Sequence, residues 1–231
     1  MKKKNIAIIQ ARMNSSRLPG KMLKKIGKYS IIEWVIKRLK KAKYLDEIIL
    51  ATSKKKIDRK FKKISRKLNI NYFAGNEKDV LTRFIDTVKG IQKANIIRIC
   101  ADNPFIDPKE INKLISFYKR KEYDYVCNRQ VFSKVYCDGF GAEIFSIDLL
   151  RKLDKLVKDK NLREHVTLYL WKNKKKFKIH SLKSNKYLAQ PHLKFDVDTN
   201  DDLNFLNKIA SNKISINTSA KNIVNIAKKL N

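Results

Sequence analysis

The sequence predicts an α/β fold, a parallel or mixed sheet covered by helices. Three observations carry that expectation. Short apolar runs recur along the chain, longer segments between them repeat apolar residues at helical spacing, and several of those segments open on a capping signal. With 231 residues, 43% of them hydrophobic and 10% aromatic, the chain can bury a real core within one α/β domain.

The candidate strands are Asn5–Ala11, Glu47–Ala51, Asn71–Phe73, Asn95–Cys100 and Tyr123–Cys127. Ser30-Ile-Ile-Glu33 reads as a capping box, in which the serine oxygen accepts the Glu33 amide and the glutamate returns to Ser30. Asp79 starts a helix on which Val80, Leu81, Phe84, Ile85 and Val88 form the apolar face. Asp107 and Pro108 supply an N-cap and a first helical position. Beyond Asn128 the alternation loosens. Gly139 and Gly141 precede a strand over Ala142–Phe145, and Ser146 caps another helix. A basic, aromatic segment from Asn161 to Lys186 reads as a helix plus a strand, and Ser219 caps a last short helix. No repeat, low-complexity linker or boundary divides the chain. Residues 1–231 are therefore expected to form a single domain, with 128–195 contributing acceptor-site or dimerisation elements of a possible homodimer.

Composition excludes several classes. The Met-Lys-Lys-Lys start imitates a signal peptide, but its apolar stretch ends after Ile9, too short for one. No apolar run has bilayer-spanning length. A soluble, cytoplasmic protein is the expectation. Cys100, Cys127 and Cys137 make an odd count without zinc spacing, and Cys100 is expected as a small core residue. The formal charge of +32 suits a nucleic-acid binder, yet its lysines are spread over nearly every helix and loop. Runs such as Lys54-Lys55-Lys56 read as solvated faces, so no specific nucleic-acid partner is expected.

Three stretches carry chemistry. "IIQARMNSSRLPGKML" follows the first strand, where open α/β sheets bind ligands beyond the carboxyl ends of their strands. Its backbone amides with Arg12, Arg17 and Lys21 can neutralise several phosphate oxygens. It is neither a P-loop nor a dinucleotide fingerprint, since no Gly-Lys-Ser/Thr follows and G-x-G-x-x-G is missing. An ordinary basic loop is the other reading. "RICADNPFID" ends an apolar strand on Asp102, a carboxylate placed either to meet a cation or ligand or to cap the next turn. In Asp196-Val197-Asp198 the two carboxylates share one side of an extended segment, which suits a hard cation such as Mg2+. Capping of the turn at Asn200, Asp201 and Asp202 is the alternative.

Together these stretches resemble the cytidylyltransferases that activate acidic sugars, such as 3-deoxy-manno-octulosonate and acylneuraminate, and most closely their spore-coat polysaccharide (SpsF-type) branch. The resemblance continues through "DEIILATS", "GNEKDVLTRF", "ICADNPFIDP", "DGFGAEIF", "REHVTLYLWKN" and "FDVDTNDDL", nearly end to end. It implies a GT-A-like, Rossmann-type nucleotidyltransferase fold of the nucleotide-diphospho-sugar transferase kind. It implies Arg12, Lys21 and Asp102 as catalytic residues. Ala11, Arg12, Ser16, Arg17, Lys21, Thr52, Ser53, Gly75, Asn76, Arg83 and Ala101 would surround CTP. Asp102, Asp196 and Asp198 would hold Mg2+. Asp138, Glu143, Arg163 and His165 would meet a small acidic acceptor, the last two from a helix whose apolar face includes Val166, Leu168 and Leu170. There are departures: Gln10 stands where many relatives have proline, "DTNDDL" replaces "DTPEDL", and Gly141 and Ala142 occupy the place of an acidic pair, so the nucleotide half matches better than the acceptor half.

The implied reaction is nucleotidyl transfer, CMP from CTP to an acidic sugar or related small acid, for surface polysaccharide or glycoconjugate biosynthesis. Two rivals remain at this stage. A GT-A-type glycosyltransferase uses similar parts, although the dense basic loop suits a free triphosphate better than a diphosphate-sugar. A non-catalytic basic nucleic-acid-binding module leaves the carboxylates at Asp196 and Asp198 unexplained, because they would repel a phosphate backbone.

Overall fold

The computed structural model describes residues 3–120, 122–129 and 136–230; the first two residues of the Met-Lys-Lys-Lys start lie outside them. The sheet grows outward from β1 (Lys4–Gln10), whose central five residues are buried. Its side chains alternate, Ala7 and Ile9 entering one apolar cluster and Ile6 and Ile8 the other. A strand apolar on both faces must be covered on both faces, and the chain supplies the covers in order.

A small antiparallel pair, β2 (Lys25–Ile26) and β3 (Tyr29–Ser30), leads into α1 (Ile31–Leu39) through the expected Ser30–Glu33 capping box. Then follow β4 (Glu47–Ser53), α2 (Lys60–Lys67), β5 (Asn71–Gly75), α3 (Val80–Thr87) and β6 (Ala94–Cys100). After α4 (Pro108–Arg120) come β7 (Tyr125–Cys127), β8 (Glu143–Ser146), α5 (Ile147–Leu156), α6 (Lys160–Glu164) and α7 (Leu168–Lys172). The chain closes with β9 (Ile179–Ser181), α8 (Asn200–Ala210) and α9 (Ala220–Leu230).

Seven strands form one sheet in the order β5-β4-β1-β6-β8-β7-β9. β5, β4, β1 and β6 are parallel, β8 runs antiparallel to both its neighbours, and β9 is parallel to β7. The mixed, mostly parallel sheet flanked by helices is the expected α/β architecture. One face packs on α1, α4 and α9 through residues such as Trp34, Leu114 and Ile223. The other packs on α3, α5 and α7 through Phe84, Leu150 and Leu170.

Two expectations need correction. The strand expected from Tyr123 begins only at Tyr125. The single helix expected after Asn161 is two short ones, because His165 leaves helical geometry (φ −109°, ψ 66°) and Thr167 turns inward, fully buried. Thr167 donates its hydroxyl to Glu143 Oε2 at 2.6 Å, so a buried hydrogen bond sets the break. Gly141 has a similarly local cause. A Cβ there would stand 1.8 Å from the Asn128 carbonyl oxygen, so the backbones of the two segments approach only with glycine at this position.

Candidate active site

The carboxyl ends of β1 and β6 border a cleft of about 300 Å³. Of the residues expected to surround a nucleotide, Ala11, Arg12, Ser16, Arg17, Lys21, Arg83 and Ala101 line it, together with the expected metal ligands Asp102 and Asp198 and with His165. Residues separated by almost two hundred positions thus converge at the sheet's edge, as the parallel topology requires.

The basic loop is held from below. Met13 donates its amide to Asp58 Oδ1 at 2.8 Å, and the Ser53 hydroxyl donates to the same carboxylate. Asp58 is buried. Its neighbours Lys54, Lys55 and Lys56 read only as a solvated run, so the anchor within "KKKID" escaped the sequence reading. Gly20 adopts φ 68° and donates to the Met13 carbonyl, turning the loop back into a short 3-10 segment that begins at Lys21.

Lys21 is 7% exposed, and its ammonium donates to Asp102 Oδ2 at 3.1 Å, Asp198 Oδ1 at 3.1 Å and the Val197 carbonyl at 2.7 Å. The Val197 amide in turn donates to the Asp102 carbonyl at 2.9 Å, stitching the late carboxylate segment to the end of β6. Burial would raise Asp198, but the hydrogen bond and charge of Lys21 outweigh it and hold the carboxyl below its ordinary value. Arg17 reaches Asp198 at 2.9 Å and Arg12 reaches Glu164 at 3.2 Å, both from exposed positions.

Asp196 and Asp198 do share a side, since Lys194 Nζ lies 3.5 Å from each. Asp202 is the acidic member of the helix cap, accepting the amides of Asp198 and Thr199 at 2.8 Å. Capping and the paired carboxylates are therefore separate duties of neighbouring residues. Asp196 Oδ1 is buried with no hydrogen-bond partner among the described residues, and burial followed by the nearby Asp138 pushes its carboxyl up to about 7. Among the described residues no three Asp, Glu, His or Cys side chains are arranged to hold a metal ion by themselves. Of the three expected metal ligands, Asp102 and Asp198 meet on the Lys21 ammonium, and Asp196 stands outside the cleft's lining.

Several expected site residues have other work. Thr52 and Ser53 are buried and outside the cleft's lining, Ser53 on Asp58 and Thr52 Oγ1 with no hydrogen-bond partner among the described residues. Asn76 accepts the amides of Lys78 and Asp79 and shapes the entry to α3, and its carbonyl accepts from Arg83 Nη1 at 2.8 Å. Gly75 gives room to Arg83, whose Cγ would lie 3.0 Å from a Cβ there. Burial, then the charge of Arg12, pushes Arg83 down to about 10. Asp138 is half-buried and forms a bridge to Lys194 outside the cleft.

Arg163 and Glu143, expected at the acceptor, are both engaged within the fold. Arg163 spends all five N–H donors within the fold, on Asp79 Oδ2 and Asp154 Oδ1 at 2.6 Å each, on Thr82 Oγ1, and on the carbonyls of Asp154 and Val157. None is left for a substrate. Glu143 is fully buried and binds Arg98 and Arg129. Arg98, Gln10 and Cys100 line the cleft without having been singled out for it. Cys100 is half-buried there, not the core residue expected. The signal for Arg98 lay in "IIRIC", an arginine inside an otherwise apolar strand.

Residues 6–223 match the cytidylyltransferase family model. The chain belongs to that family. It is 36% identical over 226 residues to an uncharacterized protein of Methanocaldococcus jannaschii, covering 98% of this chain and 91% of the other. To the spore coat polysaccharide biosynthesis protein SpsF of Bacillus subtilis it is 29% identical over 202 residues, 84% of this chain and 81% of SpsF. The structure of a cytidylyltransferase from Leptospira borgpetersenii superimposes with a TM-score of 0.93 at 28% identity, covering 99% of this chain and 95% of that one. Family membership decides for nucleotidyl transfer over the glycosyltransferase and the nucleic-acid module.

Proposed function

We propose that this cytidylyltransferase moves CMP from CTP to an acidic sugar and releases pyrophosphate, in the making of a surface polysaccharide or glycoconjugate. The observation that carries the reading is the basic loop after β1, with Arg12, Arg17 and buried Lys21 lining a cleft that also holds Asp102 and Asp198. SpsF, a polysaccharide-biosynthesis relative, supports the biosynthetic setting. The motifs shared with sugar-acid cytidylyltransferases support the acceptor class.

In this reaction an acceptor hydroxyl attacks the α-phosphorus of CTP. A new P–O bond forms, the bond to the β-phosphate oxygen breaks, and the hydroxyl proton passes to a base or to solvent. The protein's part is positioning and charge. Arg12 and Arg17 take phosphate oxygens. Lys21, whose three donors rest on Asp102, Asp198 and the Val197 carbonyl, offsets the charge that develops on leaving pyrophosphate by its proximity. It gains a direct bond only when the arriving ligand displaces one of those partners. Ala11, Ala101 and Arg83 line the nucleotide's walls, and His165 stands exposed at the rim.

The donor set fits a divalent cation such as Mg2+, which binds through one or two carboxylates and completes its shell with substrate phosphates. Asp102 and Asp198 would hold it, with the unpartnered Asp196 Oδ1 close behind. When bound, the ion supplies Lewis-acid neutralisation of phosphate charge.

A pyrophosphate-release assay with CTP against a panel of sugar acids, neutral sugars and sugar phosphates tests the reading. Release that depends on a sugar acid is expected. Release with none of the sugar acids would sink it.

A further inference from the structure

Two guanidinium groups share one buried carboxylate beside the cleft. Arg98 on β6 stands opposite Glu143 on β8 in the strand register. Glu143 Oε1 accepts from Arg98 Nη1 at 2.5 Å and from Arg129 Nη1 at 2.9 Å, and Oε2 accepts from Thr167. Burial alone would push Glu143 up, but the two arginines outweigh it and hold the carboxyl below its ordinary value. Both its oxygens are taken. Glu143 answers one of the two positive charges, Asp138 acts on Arg129, whose side chain is 21% exposed, and the buried Arg98 keeps part of its guanidinium toward the cleft.

The cluster opens toward one place. Arg98 lines the cleft although it is only 7% exposed. Its Nε donates to Gln10 Oε1 at 3.3 Å, and among the described residues none accepts from its Nη2. It lies two residues before Cys100, the last residue of β6, and so ~7 Å deeper than the strand's end. Arg12, Arg17 and Lys21 belong to the loop at the rim and already match a triphosphate. Arg98 is a separate cation, fixed on a strand, with its spare charge suited to a monoanion.

We propose that Arg98 binds the carboxylate of the acceptor, with Arg129 and Glu143 as positioning residues that fix its guanidinium; this rests on the acidic-sugar reading above. In a 2-keto-3-deoxy sugar acid the attacking hydroxyl is on the carbon that bears the carboxylate. Gripping the carboxylate therefore aims the nucleophile, and a planar fork does this better than a point charge.

The test uses the whole protein, CTP, and two acids, 3-deoxy-manno-octulosonate and N-acetylneuraminate, each beside its carboxamide. The wild type is expected to use at least one acid and to discriminate strongly against its carboxamide. Arg98→Lys keeps a charge over Glu143 but loses the fork. It should raise KM for the acid ~10-fold or more, leave KM for CTP within about twofold, and narrow the gap between acid and carboxamide. Calorimetric titration with CTP checks that the variant is folded. Equal rises in both KM values, or an unchanged preference for the acid, would overturn the assignment. So would a wild type that uses acid and carboxamide alike, a result that needs no variant at all. If the wild type uses sugar acids and Arg98→Lys behaves as wild type, only this inference fails. If the wild type uses no sugar acid, the functional reading fails and this inference with it.

Discussion

Lys21 shows how one side chain can be half legible. Its place in a dense basic loop marked it for phosphate, but nothing in the sequence placed its ammonium against Asp102, Asp198 and a main-chain carbonyl at once. Those partners lie 81 and 177 positions away for the two carboxylates, and only the sheet brings them together. Replacing Lys21 with Met leaves two carboxylates facing each other and removes the positive charge that, on the proposed reading, offsets the leaving group. Turnover is expected to fall ~100-fold or more, read as steady-state pyrophosphate release, with CTP binding weakened as well. A variant with near-normal turnover would make Lys21 a structural counter-ion only. Asp58 and Arg98 stayed hidden for opposite reasons. Asp58 was masked by surrounding lysines, whereas Arg98 was masked by surrounding isoleucines that read simply as strand.

At the scale of elements, capping chemistry was readable and long-range bracing was not. Ser30, Asp79, Ser146 and Ser219 each accept the helix-start amide that their local sequence implied. Arg163 was misread because its helix looked amphipathic, and its partners on α3 and α5 are invisible in a local window. Arg163→Ala should cost about 2 kcal/mol of stability by the usual worth of charged hydrogen bonds, measured by chemical denaturation, with both substrate KM values unchanged. Its partner adds a pH signature. Burial raises Asp79, but the hydrogen bond from Arg163 outweighs it and leaves the carboxyl below its ordinary 3.8. The unfolded chain therefore binds the proton more readily, so this stabilisation is full above about pH 4 and is lost as pH falls through the lowered value. Arg163→Ala should flatten that part of the acid-unfolding curve. Gly141→Ala makes a sharper case: a Cβ 1.8 Å from a carbonyl oxygen cannot be housed without moving β8 or the segment at Asn128. Loss of soluble folded protein is expected, and a normal melting curve would contradict the close approach.

For the molecule as a whole, the alternation of apolar runs and amphipathic segments was enough to read a helix-covered sheet, because both features are local. The reversal at β8 was not readable, since four residues carry no mark of direction, yet it is this strand that sets Glu143 against Arg98. No helix among the described residues is long and apolar enough to cross a membrane. The charge of +32 comes from lysines and arginines spread along the whole sequence. Binding to DNA or RNA should be weak, indifferent to sequence and steeply reduced by salt, measured by fluorescence anisotropy; a sequence-specific complex surviving ~0.2 M salt would contradict this. The exposed ion pairs Arg12–Glu164 and Arg17–Asp198 set a last condition on the arriving nucleotide. The side chains are 49% and 39% exposed in the first pair, 64% and 18% in the second. Such pairs are worth ~0.2–1 kcal/mol each, less than the ~1.5–3 kcal/mol of a hydrogen bond to a charged group. In the proposed nucleotide site, an entering triphosphate would exchange for the carboxylates that pair with Arg12 and Arg17. Glu164 would be released by the same event, which removes one ion-pair link between the loop after β1 and the helix α6.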